Sequence, residues 1–116
     1  MNISNFFSQY NLHDSLLESI KFDEINKLAI LTVDFCYWQQ EKYMDNQPET
    51  GMVNIIFTNV SHFNYEPYSI NSDEITDVKL NSDNSVTIVT LNDITNESHT
   101  ILIAADNVQI EEVITE

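Results

Sequence analysis

The sequence predicts a mainly β fold, an antiparallel β-sandwich or partly closed barrel carrying a short N-terminal helix. Three observations lead there. Short apolar runs rich in Val, Ile, Thr and aromatic residues recur along the chain, several of them with period two. Between the runs lie clusters of Asn, Asp and Ser, the residues that turn a chain when glycine and proline are scarce; here there are Gly 1 and Pro 2. Only the N-terminus, where Ile3, Phe6, Phe7 and Tyr10 recur at helical spacing, has the other periodicity.

In chain order, a helical turn over Ile3–Tyr10 is expected, capped by Ser4 or Asn5, with its aromatic side plugging one end of the sheet. Asn11–Ser15 reads as a polar corner. Leu16–Phe22 alternates imperfectly, with Leu16, Ile20 and Phe22 on one face and Glu18 the exception. Asp23–Lys27 is a turn, after which Leu28–Trp38 is the most apolar run of the chain. Its faces are Ala29, Leu31, Val33, Phe35 and Tyr37, and Leu28, Ile30, Thr32, Asp34, Cys36 and Trp38, the second apolar only at its start. Fully extended, such a run spans about 36 Å, against a radius of gyration of about 13 Å for a domain of this length. The strand is expected to bend, bulge or change sheets, and to pair antiparallel with the one before it.

Gln39–Gly51 is the longest polar connection, with Glu41, Asp45, Pro48, Glu49 and the only glycine. Met52–Val60 is a strand with Val53, Ile55 and Phe57 on one side and Met52, Asn54, Ile56, Thr58 and Val60 on the other. Ser61–Ser69 is aromatic but irregular, and Pro67 argues against a central strand there. Ile75–Leu80, Val86–Leu91, Thr100–Ala104 and Val108–Ile114 complete about seven strands, with turns at Asn81–Ser85 and Asn92–Ser98. The length of 116 residues suits one domain spanning 1–116.

Charge is the strongest compositional fact. Nineteen acids face four lysines, arginine is missing, and the formal net charge is -15. Such a chain is repelled by nucleic acid and by anionic membranes, whose recognition needs cationic side chains. The acidity reads either as a solvated surface that keeps the protein soluble or as the complement of a basic partner. The single Cys36 cannot form an internal disulfide, which fits a reducing compartment. No basic leader precedes an apolar run at the N-terminus, and no run reaches the ~20 apolar residues of a membrane span. The expected location is cytoplasmic.

Catalytic and metal motifs are weak. His13, Asp14 and Ser15 include the three residue types of a hydrolase triad, but neighbouring side chains point apart, so a structural corner is expected, with Asp14 and Ser15 accepting nearby backbone N–H groups. His62 and His99 lack a second histidine or a cysteine pair at zinc spacing. Asn81–Ser85 lacks the length, glycine and final glutamate of a calcium loop. Glu111 and Glu112 would face opposite ways on a strand, and Trp38 and the tyrosines read as core and rim. Hence no catalytic residue, cofactor or metal ligand is expected.

The order Leu12-His13-Asp14-Ser15, then an apolar hairpin, then Val53–Val60, Ile75–Val78 and Ile101–Val108 resembles a loose group of small bacterial β-rich proteins. Some of that group are placed with the immunity proteins of polymorphic toxin systems. The resemblance implies a β-rich fold, a structural role for His13, Asp14 and Ser15, and toxin neutralisation.

Two functional expectations follow. The first is a non-enzymatic acidic binding domain, an immunity protein that neutralises a basic toxin being one form of it. Its partner-facing residues would be Glu41, Asp45 and Glu49 in the long connection, joined by Asp73, Glu74 and Asp77 beside a strand. The alternative is a small enzyme or ligand-binding domain with a site at the mouth of the barrel, built on His13, Asp14 or the tyrosines. A homodimer through a strand edge fits either.

Overall fold

The computed structural model describes residues 1–66, 70 and 72–113, and there the chain forms one antiparallel sheet closed into a ring. The elements are helix α1 (Ile3–Gln9) and strands β1 (Leu16–Asp23), β2 (Leu28–Cys36), β3 (Thr50–Asn64), β4 (Asp73–Ser82), β5 (Ser85–Leu91) and β6 (Ser98–Glu112). Around the ring the order is β1-β2-β3-β6-β5-β4. The readings that fell on Pro67, Tyr68, Ser69 and Ile114 lie outside the described residues. Among the described residues no helix is long and apolar enough to cross a membrane.

The expected alternation of β2 holds on the inner face, where Ala29, Leu31, Val33 and Phe35 are all buried. Leu28 and Ile30 on the outer face are only half-buried. The strand is nine residues long and stops at Cys36, where Tyr37–Gln39 turn into a single 3-10 turn. That break is how the run avoids overshooting a domain whose radius of gyration is 13.7 Å.

Bulges account for most departures from simple alternation. In β1 the register shifts between Leu17 and Ser19, so the inward residues are Leu17, Ile20 and Phe22, opposite Val33, Leu31 and Ala29. Leu17, rather than Leu16, therefore fills the core; an extra residue reverses the face of everything before it. In β3 and β6 the inner face changes parity together at Asn59 and Asp106. Phe57 and Val60 are buried three residues apart, as are Ala105 and Val108. Asn59 takes a left-handed backbone (φ 55) and its amide donates to the Asp106 carboxylate.

Consequently Thr100–Ala104 and the run that begins at Val108 belong to one irregular strand, β6, rather than two, and the described strands number six. Likewise β3 does not end at Val60 but runs on through Ser61–Asn64, pairing Phe63 with Ile103.

A ring of this size is filled by its own side chains. Phe35, Phe57, Leu31, Ile55, Ile88, Ile101 and Ile103 are essentially solvent-free. The end near β2's C-terminus is stoppered by α1, as the helical spacing implied. Ile3 and Phe6 are buried, Phe6 stacks on Tyr10 at 4.7 Å, and Tyr10 meets the edge of Phe35 at 6.2 Å. The cap is Asn2, not Ser4 or Asn5: its side chain accepts the Asn5 N–H at 2.7 Å.

Candidate interaction surface

With the lumen filled, any site must lie on the outer surface or at the stoppered end. Two features meet at that end: the corner before β1 and the connection between β2 and β3.

The corner is built by Asp14, which adopts a left-handed backbone (φ 69), a conformation Asp tolerates better than most residues. Its N–H donates to the Ile75 carbonyl at 3.0 Å, and the Ile75 N–H donates to the Ser15 carbonyl at 2.8 Å. These bonds extend the closure between β1 and β4, whose ladder among the described residues holds Leu16 opposite Glu74 and Leu17 opposite Asp73. Ser15 is fully buried, and its Oγ accepts the Cys36 N–H at 2.9 Å. The Asp14 carboxylate accepts from Gln39 Nε2 at 2.9 Å and lies 3.2 Å from His13 Nδ1. The histidine and aspartate thus do touch, contrary to the expectation that neighbours point apart, because the left-handed residue folds the two side chains together. Still, no nucleophile joins them. Ser15 points into the wall, and burial pushes the Cys36 thiol up from its ordinary value while its Sγ lies 3.3 Å from the Asp14 carbonyl.

The short closure also brings Glu74 against Asp14, residues from the two separate clusters singled out in the sequence. Its carboxyl is pushed above its ordinary value, first by hydrogen bonding with Asp14, then by burial and by the charges of Asp14 and Asp93, with His13 pulling the other way. Asp77 is exposed. Asp73 departs from the expected surface cluster: it faces inward opposite buried Leu17 and is solvent-free, with its Oδ1 accepting from Asn92 Nδ2 at 3.0 Å. Two acids of the expected three remain on this flank of the surface.

Glu41, Asp45 and Glu49 are all exposed on the β2–β3 connection. That connection is ordered by its own bonds. Gln40 Nε2 donates to the carbonyls of Asn11 (2.7 Å) and Cys36 (2.8 Å), Gln47 Oε1 accepts the Met44 N–H (2.9 Å), and the Trp38 N–H donates to the Glu49 carbonyl (3.2 Å). Trp38 is 48% exposed and Met44 62%. The connection also borders a cleft of about 340 Å³ lined by Tyr10, Tyr37, Lys42, Tyr43, Gln47 and Glu112, among others. Burial, followed by the charge of Glu112 and hydrogen bonding with it, holds Tyr37 above the ordinary phenol range. The single glycine belongs here too: a Cβ on Gly51 would fall 2.7 Å from the Tyr37 ring, which is already packed edge-on against Phe35 at 5.2 Å.

The exposure of Glu41, Asp45 and Glu49 is as expected from the sequence, from which the aromatic cleft beside them was not foreseen. The signal was present in Tyr37, Trp38, Tyr43 and Met44, which flank or fall within the polar stretch. Among the described residues no lysine is ion-paired with a carboxylate; a histidine nitrogen lies close to a carboxylate at His13–Asp14 and at His99–Glu97. The same residues contain no group of three or more His, Cys, Asp or Glu side chains that could hold a metal ion. No family model, curated protein or solved structure matches this chain.

Proposed function

We propose that this is a non-enzymatic acidic binding domain whose partner is a basic protein, and that its contact face is the β2–β3 connection. One observation carries the reading. Exposed Trp38 and Met44 stand among Glu41, Asp45 and Glu49, none paired to a lysine among the described residues, on a loop held in shape by its own hydrogen bonds. Aromatic residues and Met are the anchors that protein interfaces favour, and acids at the rim steer a cationic partner to them. Pre-ordering the loop lowers the entropic cost of contact. Neutralisation of a basic toxin such as a nuclease is the form this activity would take in the group the sequence resembles. The enzyme alternative is supported less well, because the His13–Asp14 pair has neither Ser15 nor Cys36 available as a nucleophile.

The test is binding kinetics against the product of the neighbouring gene. Asp45→Lys with Glu49→Lys should slow association and weaken its salt dependence, whereas Trp38→Ala should speed dissociation. An association rate indifferent to salt and to both reversals would overturn the reading.

A further inference from the structure

The ring closes by so short a ladder that part of its wall is open. Upstream of Asp14 the chain leaves β4 through the Asn11–His13 turn, where the His13 N–H donates to Asn11 Oδ1 at 3.0 Å. From Asp77 to Ser82, β4 therefore has β5 on one side, and on the other makes no backbone hydrogen bond to any described residue. Val78 and Leu80 point inward there, opposite buried Ile88 and Val86, yet Val78 is half-buried and Leu80 42% exposed. Facing them across a cleft of about 300 Å³ are Phe7, Tyr10 and Leu12. The result is a slot with an unpaired strand edge on one side and an apolar floor.

We infer that this slot receives an extended, basic segment of the partner protein, which adds to the β4 edge as a strand in the place β1 vacates. An edge of this kind offers main-chain hydrogen bonds to an incoming strand, while alternate side chains enter the apolar floor. The charges around it choose the occupant. Asp77 stands on the outer face of the edge, the Asp14–Glu74 pair marks its closed end and Asp83 lies beyond its open end, against one cation, Lys79. A second copy of this chain would bring another formal charge of -15 to the same place. A strand with apolar residues facing Val78 and Leu80 and lysine or arginine between them, densest near Asp77, satisfies both faces. Tyr10 lines this slot and also the cleft beside the β2–β3 connection, so one partner can span both. The inference rests on the reading of the domain as a binder of basic proteins, and names the part of the partner that enters the fold.

The test uses the intact chain and a synthetic peptide of alternating valine and lysine, about six residues long to match the edge. A second peptide of the same charge carries N-methyl groups on alternate amides, in both phases. The first peptide should slow amide exchange within Asp77–Ser82, and at least one methylated form should bind about tenfold more weakly, as expected for lost main-chain hydrogen bonds. Asp77→Lys should weaken the peptide and Lys79→Glu tighten it. Leu80→Asp should abolish binding; if that variant fails to fold, the two charge variants at exposed positions carry the test. Equal affinity for methylated and unmethylated peptides, or protection anywhere but this edge, would overturn the inference. So would a dimer in sedimentation with the same amides protected in the absence of peptide, since a second copy would then own the edge. Asp45→Lys and Glu49→Lys should leave the peptide unaffected, so a failed kinetic assay on the neighbouring gene product and a failed slot are separable results.

Discussion

Among the described residues, β3 and β6 meet along ten residue pairs, whereas β1 and β4 meet along two. Both contacts are antiparallel, but the irregularities beside them act differently. Between β3 and β6 the inner face changes parity in both strands at Asn59 and Asp106, the register slips by one residue between Val60 and His62, and the ladder resumes with Val60, Phe63, Ile103 and Ala105 still directed inward. The β1–β4 pairing carries no shift of its own; it is bounded by a bulge after Leu17 in the β1–β2 pairing and one after Ile75 in the β4–β5 pairing. A long contact between strands distant in sequence carries the core, and a short one leaves side chains half-covered. The incompletely closed contact is where the carboxyl pair, the corner and the slot all gather. Unpaired edges and low local stability are features that binding regions draw on.

The largest test of this contrast is Phe57→Ala. Phe57 is solvent-free at the centre of β3, opposite Val108, and its truncation should cost about 3–5 kcal/mol of global stability. Amide exchange sharpens the point. Ladder amides of β3 and β6 should exchange only through global unfolding and so accelerate strongly in the variant. The amides of Asp14 and Ile75, which hold the short closure, should exchange by local opening and change little. Equal acceleration at both places would mean that the ring opens as a single unit.

Ser15→Ala probes the other contact. The substitution leaves the buried Cys36 N–H without its acceptor, at a cost of about 1–3 kcal/mol, and loosens the corner that aligns Asp14 with Ile75. Exchange at Asp14 and Ile75 should now rise before the β3–β6 ladder responds. A melting temperature equal to that of the parent would show that Ser15 does not support the corner. Asp14→Ala adds backbone strain at φ 69 and removes the acceptor for Gln39, so about 1–2 kcal/mol is expected there as well, read from denaturant midpoints. An unchanged midpoint together with loss of a measured activity would move Asp14 from a structural role to a chemical one.

The two contacts also differ in how far they could be read from the sequence. Where alternation is undisturbed, as in Ala29, Leu31, Val33 and Phe35 or in Val53, Ile55 and Phe57, the buried face was legible, and so were the fold class and the helix that stoppers the end. Bulges were not. Ala105-Asp106-Asn107 has the composition of a turn, and only the matching irregularity at Asn59 lets the strand pass through it. Glu18 looked like a polar exception on an apolar face when it is the position where that face reverses. The buried Asp73 was misplaced because its surroundings are set by Leu17 and Asn92, which lie far from it in sequence. For the same reason the meeting of Asp14 with Glu74 could not be foreseen, although each residue had been singled out separately. Glu41, Asp45 and Glu49 were legible as exposed acids because a long polar connection has few ways to bury them.

The smallest expected effect is the most specific to the short contact. Glu74 has its carboxyl raised above the ordinary range, chiefly by the hydrogen bond with Asp14. A group raised in the folded state contributes its stability below its unfolded value, about 4.3 for glutamate, and loses it as pH climbs through the folded value. The β1–β4 closure should therefore weaken between the ordinary carboxylate range and neutrality, as Glu74 loses its proton and its charge faces Asp14. Glu74→Gln keeps a hydrogen-bonding side chain and removes one charge, so it should match the parent in acid, exceed it at neutral pH and melt with a flatter pH dependence. Solvent and salt screen a group so incompletely buried, which makes the gain modest and smaller still at moderate ionic strength. Asp23 supplies the opposite sign. The Asn26 side chain, followed by backbone N–H groups, holds its carboxylate below the ordinary range, so its contribution is present above the unfolded value and is lost as pH falls through the folded one. Thermal melts across that range for the parent, Glu74→Gln and Asp23→Asn should thus separate in opposite directions, Glu74→Gln rising above the parent toward neutral pH and Asp23→Asn falling below it. Parallel pH profiles for the parent and Glu74→Gln would mean that the Glu74 carboxyl does not act on the closure, which is then held by its backbone bonds alone.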